Sequence, residues 1–164
     1  MDRMRWLSRL GGASLVCLYV SIPAVSHAAC LDFSGPVDKP RHPSLSAEYA
    51  SSNYVILGRA TRSANISSPD DPNGYDWTVY DVTVLAVYKG QPSGTIKLVS
   101  PNTTSRFPLE KGKNYLLFIT HSSQKEYAGK KLLPSDFVDD CGNSGPASER
   151  AVEIRTVEGF VDRK

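Results

Sequence analysis

The sequence predicts an all-β domain with flanking helices, built as a small antiparallel barrel of five strands and followed by a C-terminal helix. Stretches rich in Val, Ile, Thr, Tyr and Phe alternate with turn-forming residues, as strands of an antiparallel sheet do. No helical pattern separates these stretches, so parallel strands joined by crossover helices are not expected. One stretch, Trp77–Gly90, is much longer than the usual strand of about five or six residues.

The first 28 residues have the composition of a secretory signal peptide. A basic start is followed by the apolar run Leu15–Val25, which is too short to cross a bilayer, and then by small residues up to Ala28. We expect cleavage after Ala28 or Ala29, which leaves one domain, residues 29–164, secreted or periplasmic and with no stable insertion in a membrane. The alternatives are a retained anchor, against which Pro23 interrupts the apolar run, and lipid attachment, for which the usual aliphatic residue is missing.

The charge of the domain excludes two classes of partner. The full chain has 19 basic and 17 acidic residues, and removal of the leader leaves 16 of each. A neutral domain has no electrostatic footprint for nucleic acid or for acidic membranes. We therefore expect neither as a partner.

Cysteine usage predicts a disulfide. Cys17 leaves with the leader, so the mature domain keeps Cys30 and Cys141. Two cysteines in an exported protein most often pair. The closed loop has about 110 residues, for which the chain-entropy model gives ~4–5 kcal/mol of stabilisation as an upper estimate. Such a bridge would fasten the mature N-terminus to a point just before the last helix.

The N-terminal part of the domain is expected to be extended and irregular up to residue 45, because prolines are frequent and apolar residues rarely follow one another. Ser46–Ser52 then predicts a short helical turn. Ser46 would be its N-cap, and Tyr49 and Ala50 would be directed inward.

The first strand and the loop after it are marked by a change in composition. Tyr54–Thr61 is rich in aliphatic residues and predicts a strand, in which Gly58 indicates a bulge or a tight bend. Ser63–Gly74 contains the run PDDPNG and predicts a turn-rich loop. This loop leads into the long strand.

The long strand, Trp77–Gly90, has one apolar face. Alternation with a period of two is typical of a strand that covers a core on one side. Because the strand is so long, we expect it to bend and to serve two layers. Its apolar positions are Tyr80, Val82, Val84, Ala86 and Tyr88.

Three further strands complete the predicted barrel. They are short, alternate or apolar, and separated by polar loops and by the turn at residues 110–113. The loop Pro101–Pro108 is rich in hydroxyl side chains. The strands are Thr95–Val99, Asn114–Thr120 and Lys131–Pro134.

A helical pattern ends the chain. Gly145–Pro146 predicts its start, since proline is favoured at the first helical position. Apolar residues then recur on one stripe, and we expect this helix to pack on the barrel over Leu85 and Val87 of the long strand. The stripe consists of Ala147, Ala151, Ile154, Val157 and Val161.

The order of these elements resembles one known family, the netrin-like modules, which include the tissue inhibitors of metalloproteinases, and above all its bacterial exported branch. The resemblance covers residues 46–163. It implies a five-stranded OB-type barrel, closed or partly open, with flanking helices and disulfides. The matching motifs are YVILG, VTVLAVYKG, LEKGKNYLLFI and DCG at Tyr54–Gly58, Val82–Gly90, Leu109–Ile119 and Asp140–Gly142.

The resemblance also implies where a partner protein would bind. The inhibitors of this family act through their mature N-terminus, which begins Cys-x-Cys. Here the start has one cysteine, Cys30, which corresponds to the family's structural cysteine, and its partner would be Cys141. The implied contact surface is Cys30, Leu31, Asp32 and Phe33, with the adjoining loops Ser63–Gly74 and Asn102–Arg106, the latter including Thr103 and Thr104.

Inhibition of a zinc metalloprotease is the specific form of this hypothesis. It requires cleavage between Ala29 and Cys30, because the α-amine of Cys30, with a pKa near 8, could then ligate an open zinc position. Leu31 would enter an apolar pocket. A start at Ala29 would place an amide nitrogen there, which is no ligand. The alternative is that Cys30 only anchors the N-terminal segment.

Candidate groups for chemistry are few. His42 and His121 are unlinked in sequence, and surface positions are expected for both. The oxygen-rich loop of Asp70, Asp71, Asn73 and Asp76 could hold Ca²⁺ but has the composition of a turn. Asp136, Asp139 and Asp140 could form an acidic site, but a solvated turn is expected there. The sequence lacks HExxH, GxSxG and a phosphate-binding glycine loop. We expect no enzymatic activity, cofactor or metal ion.

Two other functions can be weighed against partner binding. OB-type barrels often bind oligonucleotides, but such sites need a basic groove with exposed aromatic residues, and Tyr80 and Tyr88 are expected in the core. A structural domain of the cell envelope, without inhibitory activity, is the alternative we retain. A monomer is expected in either case.

Overall fold

The computed structural model describes residues 30–32, 39–40, 42–121 and 136–162. The predicted signal peptide and the predicted fifth strand at Lys131–Pro134 lie outside these residues. No helix within the described ranges is long and apolar enough to cross a membrane.

Strands dominate the described chain, and two helices flank them. In chain order the elements are β1 (Leu31–Asp32), β2 (Lys39–Pro40), α1 (Leu45–Ser51), β3 (Tyr54–Ser67), β4 (Tyr75–Lys89), β5 (Thr95–Pro101), β6 (Asn114–His121), β7 (Asp136–Val138), β8 (Gly145–Pro146), a 3₁₀ turn (Ala147–Glu149) and α2 (Ala151–Val161).

The main sheet is antiparallel, with the strand order β5-β4-β3-β6-β7, and β8 pairs with β6. It curls so that Val138 of β7 and Leu98 of β5 share one core, although no ladder joins these two strands in the described residues. The prediction of an all-β fold with flanking helices is therefore confirmed, and the described sheet is open and has six strands when β8 is counted.

Two apolar clusters lie on opposite faces of the sheet. The inner cluster fills the barrel, and the outer cluster lies between the sheet and the two helices. The rings of Tyr49 in α1 and Phe160 in α2 meet edge to face there, with centroids 4.9 Å apart. The inner cluster contains Ile56, Ala60, Tyr80, Val82, Leu98, Leu109, Tyr115, Leu117, Ile119 and Val138, and the outer cluster contains Tyr49, Val55, Leu116, Phe118 and Val157.

The long strand β4 follows the prediction over its first part only. Tyr80, Val82 and Val84 face the inner cluster, as expected. Leu85 and Tyr88 have no partner on β3, so a β-bulge lies at each of them. A β-bulge changes the face of the sheet to which the following side chains point. Tyr88 consequently packs in the outer cluster, so the strand bends and serves both layers, as predicted.

The prediction that α2 covers Leu85 and Val87 is wrong. These side chains are 44% and 40% exposed. The helix packs instead on Tyr88 and on the outward side chains of β3 and β6, because the bulges turn Tyr88 to that face.

The predicted loop Ser63–Gly74 begins too early. Ser63–Ser67 continues β3, with Ser63 opposite Tyr80 and Ser67 opposite Tyr75. The side chains of residues 61–67 are all exposed, so this part of the strand has no apolar alternation to reveal it. Only residues 68–74 form the turn.

Both helices begin elsewhere than predicted. Ser44, not Ser46, is the N-cap of α1, and its hydroxyl accepts a hydrogen bond from the Ala47 N–H. Tyr49 faces inward as expected, but Ala50 is exposed. Ala50 lies about 100° around the helix from Tyr49, away from the sheet.

The C-terminal helix begins at Ala151 rather than at Pro146. Pro146 has an extended ψ of 131° and pairs with Tyr115 of β6, so sheet pairing takes precedence over helix initiation. The apolar stripe shifts accordingly. Val157 is buried with Ile154 and Phe160 beside it, whereas Ala151 and Val161, both predicted on the stripe, are exposed.

Candidate functional site

The predicted disulfide is present. Cys30 is bonded to Cys141, and their Cα atoms are 5.4 Å apart across a sequence separation of 111. Cys30 leads directly into the N-terminal ribbon, the two-stranded sheet in which Leu31–Asp32 pairs with Lys39–Pro40. A disulfide that persists in its working compartment is compatible with an exported protein.

Cys141 lies in a tight turn, which we call the anchor turn (residues 139–144). The Asp139 carboxylate accepts the Cys141 N–H at 3.0 Å, and the Asp139 carbonyl accepts the Gly142 N–H at 3.1 Å. The Nδ1 atom of His42 lies 2.9 Å from the Cys141 carbonyl oxygen and, when protonated, donates to it. The turn is thus closed on itself and joined to the chain segment before α1.

Glu48 of α1, a residue not predicted from the sequence, holds the anchor turn. Its Oε2 atom accepts hydrogen bonds from both the backbone N–H and the side-chain amide of Asn143, each at 2.6 Å. The same amide donates to the Pro43 carbonyl at 3.0 Å. Gly142 is required beside this contact, because a Cβ atom there would collide with the Glu48 carboxylate.

The electrostatics of Glu48 reflect its burial. The side chain is only 7% exposed, and loss of hydration raises the pKa of its carboxyl group above the ordinary value. The hydrogen bonds from Asn143 act against this shift, the charge of Asp139 adds to it, and His42 lowers the pKa slightly. The group is a buried acceptor whose ionised form is disfavoured by its surroundings.

The spacing of residues around α1 indicates that Glu48 lies on its buried face. Leu45, Glu48 and Ser52 are spaced three and four residues apart, which places them on one face of a helix together with Tyr49. The partner, however, lies 95 residues away in sequence, and no local pattern marks Asn143.

The predicted loop Asn102–Arg106 is exposed and fixed to the start of β4. The Asn102 N–H donates to the Asp76 carbonyl at 2.7 Å, and its side-chain amide donates to the Tyr75 carbonyl at 2.9 Å. Arg106 donates to the Tyr75 hydroxyl at 3.4 Å. Since Tyr75 follows the turn at residues 68–74, the two predicted loops are neighbours.

The loop also returns next to the strand that leads to the anchor turn. The Phe107 N–H donates to the Ser100 hydroxyl at 3.0 Å, which closes the loop at its base. Ser100, Phe107 and Val138 line one small cavity, and Val138 directly precedes the anchor turn. Among the other predicted contact residues, Leu31 and Asp32 form β1, and Phe33 lies outside the described residues.

The groups considered for metal or acid–base chemistry have separate surroundings. His121 is exposed, as predicted, and its Nδ1 atom lies 2.9 Å from the carboxylate of Asp136. Asp136 belongs to strand β7, so the prediction of a solvated turn is wrong at Asp136, whereas Asp140 lies in a turn. Asp71 accepts the Asn73 N–H at 3.0 Å in the turn after β3. Within the described ranges, no group of three or more His, Cys, Asp or Glu residues could hold a metal ion.

Comparisons with known proteins add no assignment. No protein-family model matches the chain, and a search of curated proteins finds no match either. The resemblance to the netrin-like modules therefore stays a prediction.

Proposed function

We propose that the protein is an exported, netrin-like protein-binding module that contacts its partner through Cys30–Phe33 and the loop at Asn102–Thr104. The observation that supports it is the covalent bond between Cys30 and the anchor turn. A segment that is already fixed on a folded body loses less conformational entropy when it binds, so more of the contact energy remains as affinity.

The anchor turn supports the same proposal. Glu48 and His42 attach this turn to the segment around α1, so Cys30 is bonded to a site that is itself fixed. The loop at Asn102–Thr104 has exposed side chains and is closed at its base by Ser100. A partner would meet the fixed Cys30 and this loop.

Inhibition of a zinc metalloprotease is the specific form of the proposal. A chain that begins at Cys30 would place its α-amine and carbonyl beside the disulfide, where both could reach an open zinc position of the protease. The α-amine has a pKa of about 8 and is partly neutral at physiological pH, as a zinc ligand must be.

Two preparations test this form. One begins at Cys30 and the other at Ala29, and both are titrated against a panel of zinc metalloproteases after the natural N-terminus has been determined by mass spectrometry. We expect inhibition by the first preparation only, because the second carries an amide nitrogen at Cys30. Equal activity of the two, or a natural start at Ala29, would exclude zinc chelation.

Binding of a partner protein is tested separately. Leu31→Asp and Thr103→Arg should each weaken capture of the partner from a periplasmic or medium fraction by at least about tenfold, which corresponds to about 1.4 kcal/mol. The matched control is Val152→Asp, since Val152 is 64% exposed on α2 and belongs to neither segment. A loss of capture with the control alone would contradict the proposed surface.

The alternative function, a structural domain of the cell envelope, is favoured by one observation. Leu85 and Val87 expose apolar surface on β4 and belong to neither proposed contact segment. An envelope domain would lose its stable partner on Leu85→Asp, would keep it on Leu31→Asp, and would inhibit no metalloprotease. This pattern distinguishes the two functions.

A further inference from the structure

The second half of β3 forms an exposed edge of the sheet. Tyr54–Arg59 lies between β4 and β6, and the Ala60 carbonyl then accepts the Gly112 N–H at 2.7 Å. The segment Arg62–Ile66 pairs in unbroken register with β4 and, among the described strands, with no other. Each of its residues is exposed. We call Arg62–Ile66 the open edge.

The open edge lacks the features that usually keep an exposed strand from pairing. Natural sheets protect such edges with proline, with lysine or with very short strands. Arg62–Ile66 contains neither proline nor lysine, and it is as long as a typical strand of about five residues. Its backbone N–H and C=O groups that face away from β4 can therefore pair with a further strand.

A cavity lies beside the open edge, on the face of the sheet opposite the inner cluster. Ala64 is opposite Val79 on this face, because Val79 alternates with the inward Tyr80. The cavity has a volume of about 130 Å³. An apolar cavity of ~150 Å³ holds a molecule of the size of benzene, so there is room for one leucine side chain. The cavity is lined by Arg62, Ser63, Ala64, Val79, Asp81 and Lys97.

The charges around the open edge are mainly positive. Arg59, Arg62 and Lys97 lie on the same face of the sheet as the cavity. The Asp81 carboxylate accepts hydrogen bonds from Arg62 and Lys97, at 2.7 and 2.6 Å, and so offsets one of these charges. Strand β3 contains no acidic residue, and the aspartates of the turn at residues 68–74 lie beyond its far end. An acidic ligand is therefore favoured near Arg59 and Arg62.

We propose that the open edge is a strand-addition site for an extended, acidic segment of a partner protein. The segment pairs antiparallel with Arg62–Ile66, inserts one apolar side chain into the cavity beside Ala64, and places acidic residues next to Arg59 and Arg62. In sites of this kind, backbone pairing supplies affinity and pockets for alternate side chains supply specificity. The site includes neither the N-terminal segment nor the loop at Asn102–Thr104, so it does not depend on the proposed function.

A second copy of this chain is the other candidate occupant of the open edge. Pairing of two open edges about a two-fold axis would bring the basic side chains of both copies, Arg59 and Arg62, along one seam. Like charges across a strand pair are destabilising, whereas an acidic segment brings the opposite charge. The charge distribution therefore favours the acidic segment.

Calorimetric titration with a synthetic peptide tests the site. The probe is acetylated and amidated Thr-Thr-Leu-Thr-Glu-Thr-Glu, in which the leucine and both glutamates lie on one face of a strand. Ala64→Leu fills the cavity and should weaken binding at least about tenfold, since burial of the leucine of the peptide is lost. Arg62→Gln removes one exposed charge and should weaken binding about two- to fivefold. The matched controls are Ala151→Leu and Arg155→Gln at exposed positions of α2, which should leave binding unchanged.

Amide hydrogen exchange shows whether the peptide binds as a strand. We expect the backbone N–H groups of Arg62–Ile66 that face away from β4 to gain protection when the peptide is bound. A peptide that is N-methylated at alternate residues, and so lacks the donors for pairing, should neither bind nor protect them. Protection of these N–H groups in the free monomer would show that the chain itself covers the edge, and would overturn the proposal.

Three further results would also overturn the proposal. One is equal or tighter binding of a peptide with lysine in place of both glutamates. Another is protection of Arg62–Ile66 that increases with protein concentration, because a second copy would then occupy the edge. The third is loss of peptide binding in Leu31→Asp but not in Ala64→Leu, which would place the peptide on the N-terminal segment. That result would support the proposed function while the strand-addition site fails.

Discussion

At the scale of single residues, Glu48 stands apart from other charged groups because it serves as an acceptor in a buried site. Burial of a carboxylate destabilises the folded state unless its oxygens are hydrogen-bonded. Here Asn143 supplies two donors to one oxygen. The net effect still raises the pKa of the carboxyl group. The stability of the anchor turn should therefore depend on pH.

The first prediction concerns Glu48→Gln. A raised pKa in the folded state means that the contribution of Glu48 is fully present below the ordinary glutamate pKa of 4.5, which holds in the unfolded chain, and is lost as pH rises through the folded pKa. Glutamine keeps an oxygen acceptor for Asn143 and does not titrate. Urea unfolding from pH 4 to pH 7.5 should show the variant gaining stability relative to wild type as pH rises. A difference that is constant or falls with pH would contradict the direction of the shift.

The second prediction concerns Ser144→Ala. The buried Ser144 hydroxyl accepts the Phe118 N–H, and its removal leaves this N–H without that acceptor inside the domain. We expect the free energy of unfolding to fall by about 1–3 kcal/mol. Ser51→Ala is the control, since Ser51 is exposed, and it should change stability by less than about 0.5 kcal/mol. Equal effects of the two variants would indicate that the N–H finds another acceptor.

At the scale of elements, a glycine-to-alanine substitution should have opposite effects on stability in the anchor turn and in α2. Gly142 lies against the Glu48 carboxylate in the anchor turn, where an added Cβ atom has no room. Gly159 lies within α2, where an added Cβ atom would meet nothing within 4 Å. The two glycines form a natural pair for measurement.

The third prediction uses this pair. Gly142→Ala should destabilise the protein by about 1–3 kcal/mol, because Glu48 must move to admit the methyl group. Gly159→Ala should stabilise it by about 0.5–1 kcal/mol, since alanine is the better helix former. Chemical denaturation of both variants gives the two signs. Destabilisation by Gly159→Ala would mean that α2 is under a constraint absent from its contacts.

Predictability from sequence also differs between elements. The first part of β4 could be predicted because one of its faces is buried and its residues alternate. The end of β3 could not, since Ser63–Ser67 is exposed and, among the described strands, pairs only with β4. The start of α2 was misplaced because the pairing of Pro146 with β6 is a long-range contact. For the same reason Asn143 could not be predicted as the partner of Glu48.

At the scale of the whole molecule, one sheet carries apolar clusters on both faces, and the Cys30–Cys141 disulfide joins the N-terminal ribbon to the anchor turn beside it. The sequence predicted the barrel and the bridge, because they depend on composition, alternation and cysteine count. It did not predict that Tyr88 of β4 packs in the outer cluster, because the bulges at Leu85 and Tyr88 decide which face that side chain reaches.

The fourth prediction concerns the bridge. The variant Cys141→Ser should lower the free energy of unfolding by up to about 4–5 kcal/mol, since the cross-link closes a long loop in the unfolded state. The denaturant m-value should rise, because the unfolded variant exposes more surface. Urea unfolding of the variant and of the oxidised protein measures both quantities. A loss below about 1 kcal/mol would contradict the entropic account of the bridge.

Lys89 has a consequence for the order in which the chain becomes structured. Its ammonium group donates to the Tyr49 and Ala50 carbonyls, at 2.6 and 2.7 Å, and so caps the end of α1 from another element. A helix of seven residues is too short to be stable by itself, so α1 becomes stable only after the β3–β4 hairpin has formed. The hydrogen bonds of Glu48 can form only after Asn143, 95 residues later in the chain, has been synthesised. During synthesis, the segment that emerges before the barrel is therefore among the last to be fixed in place.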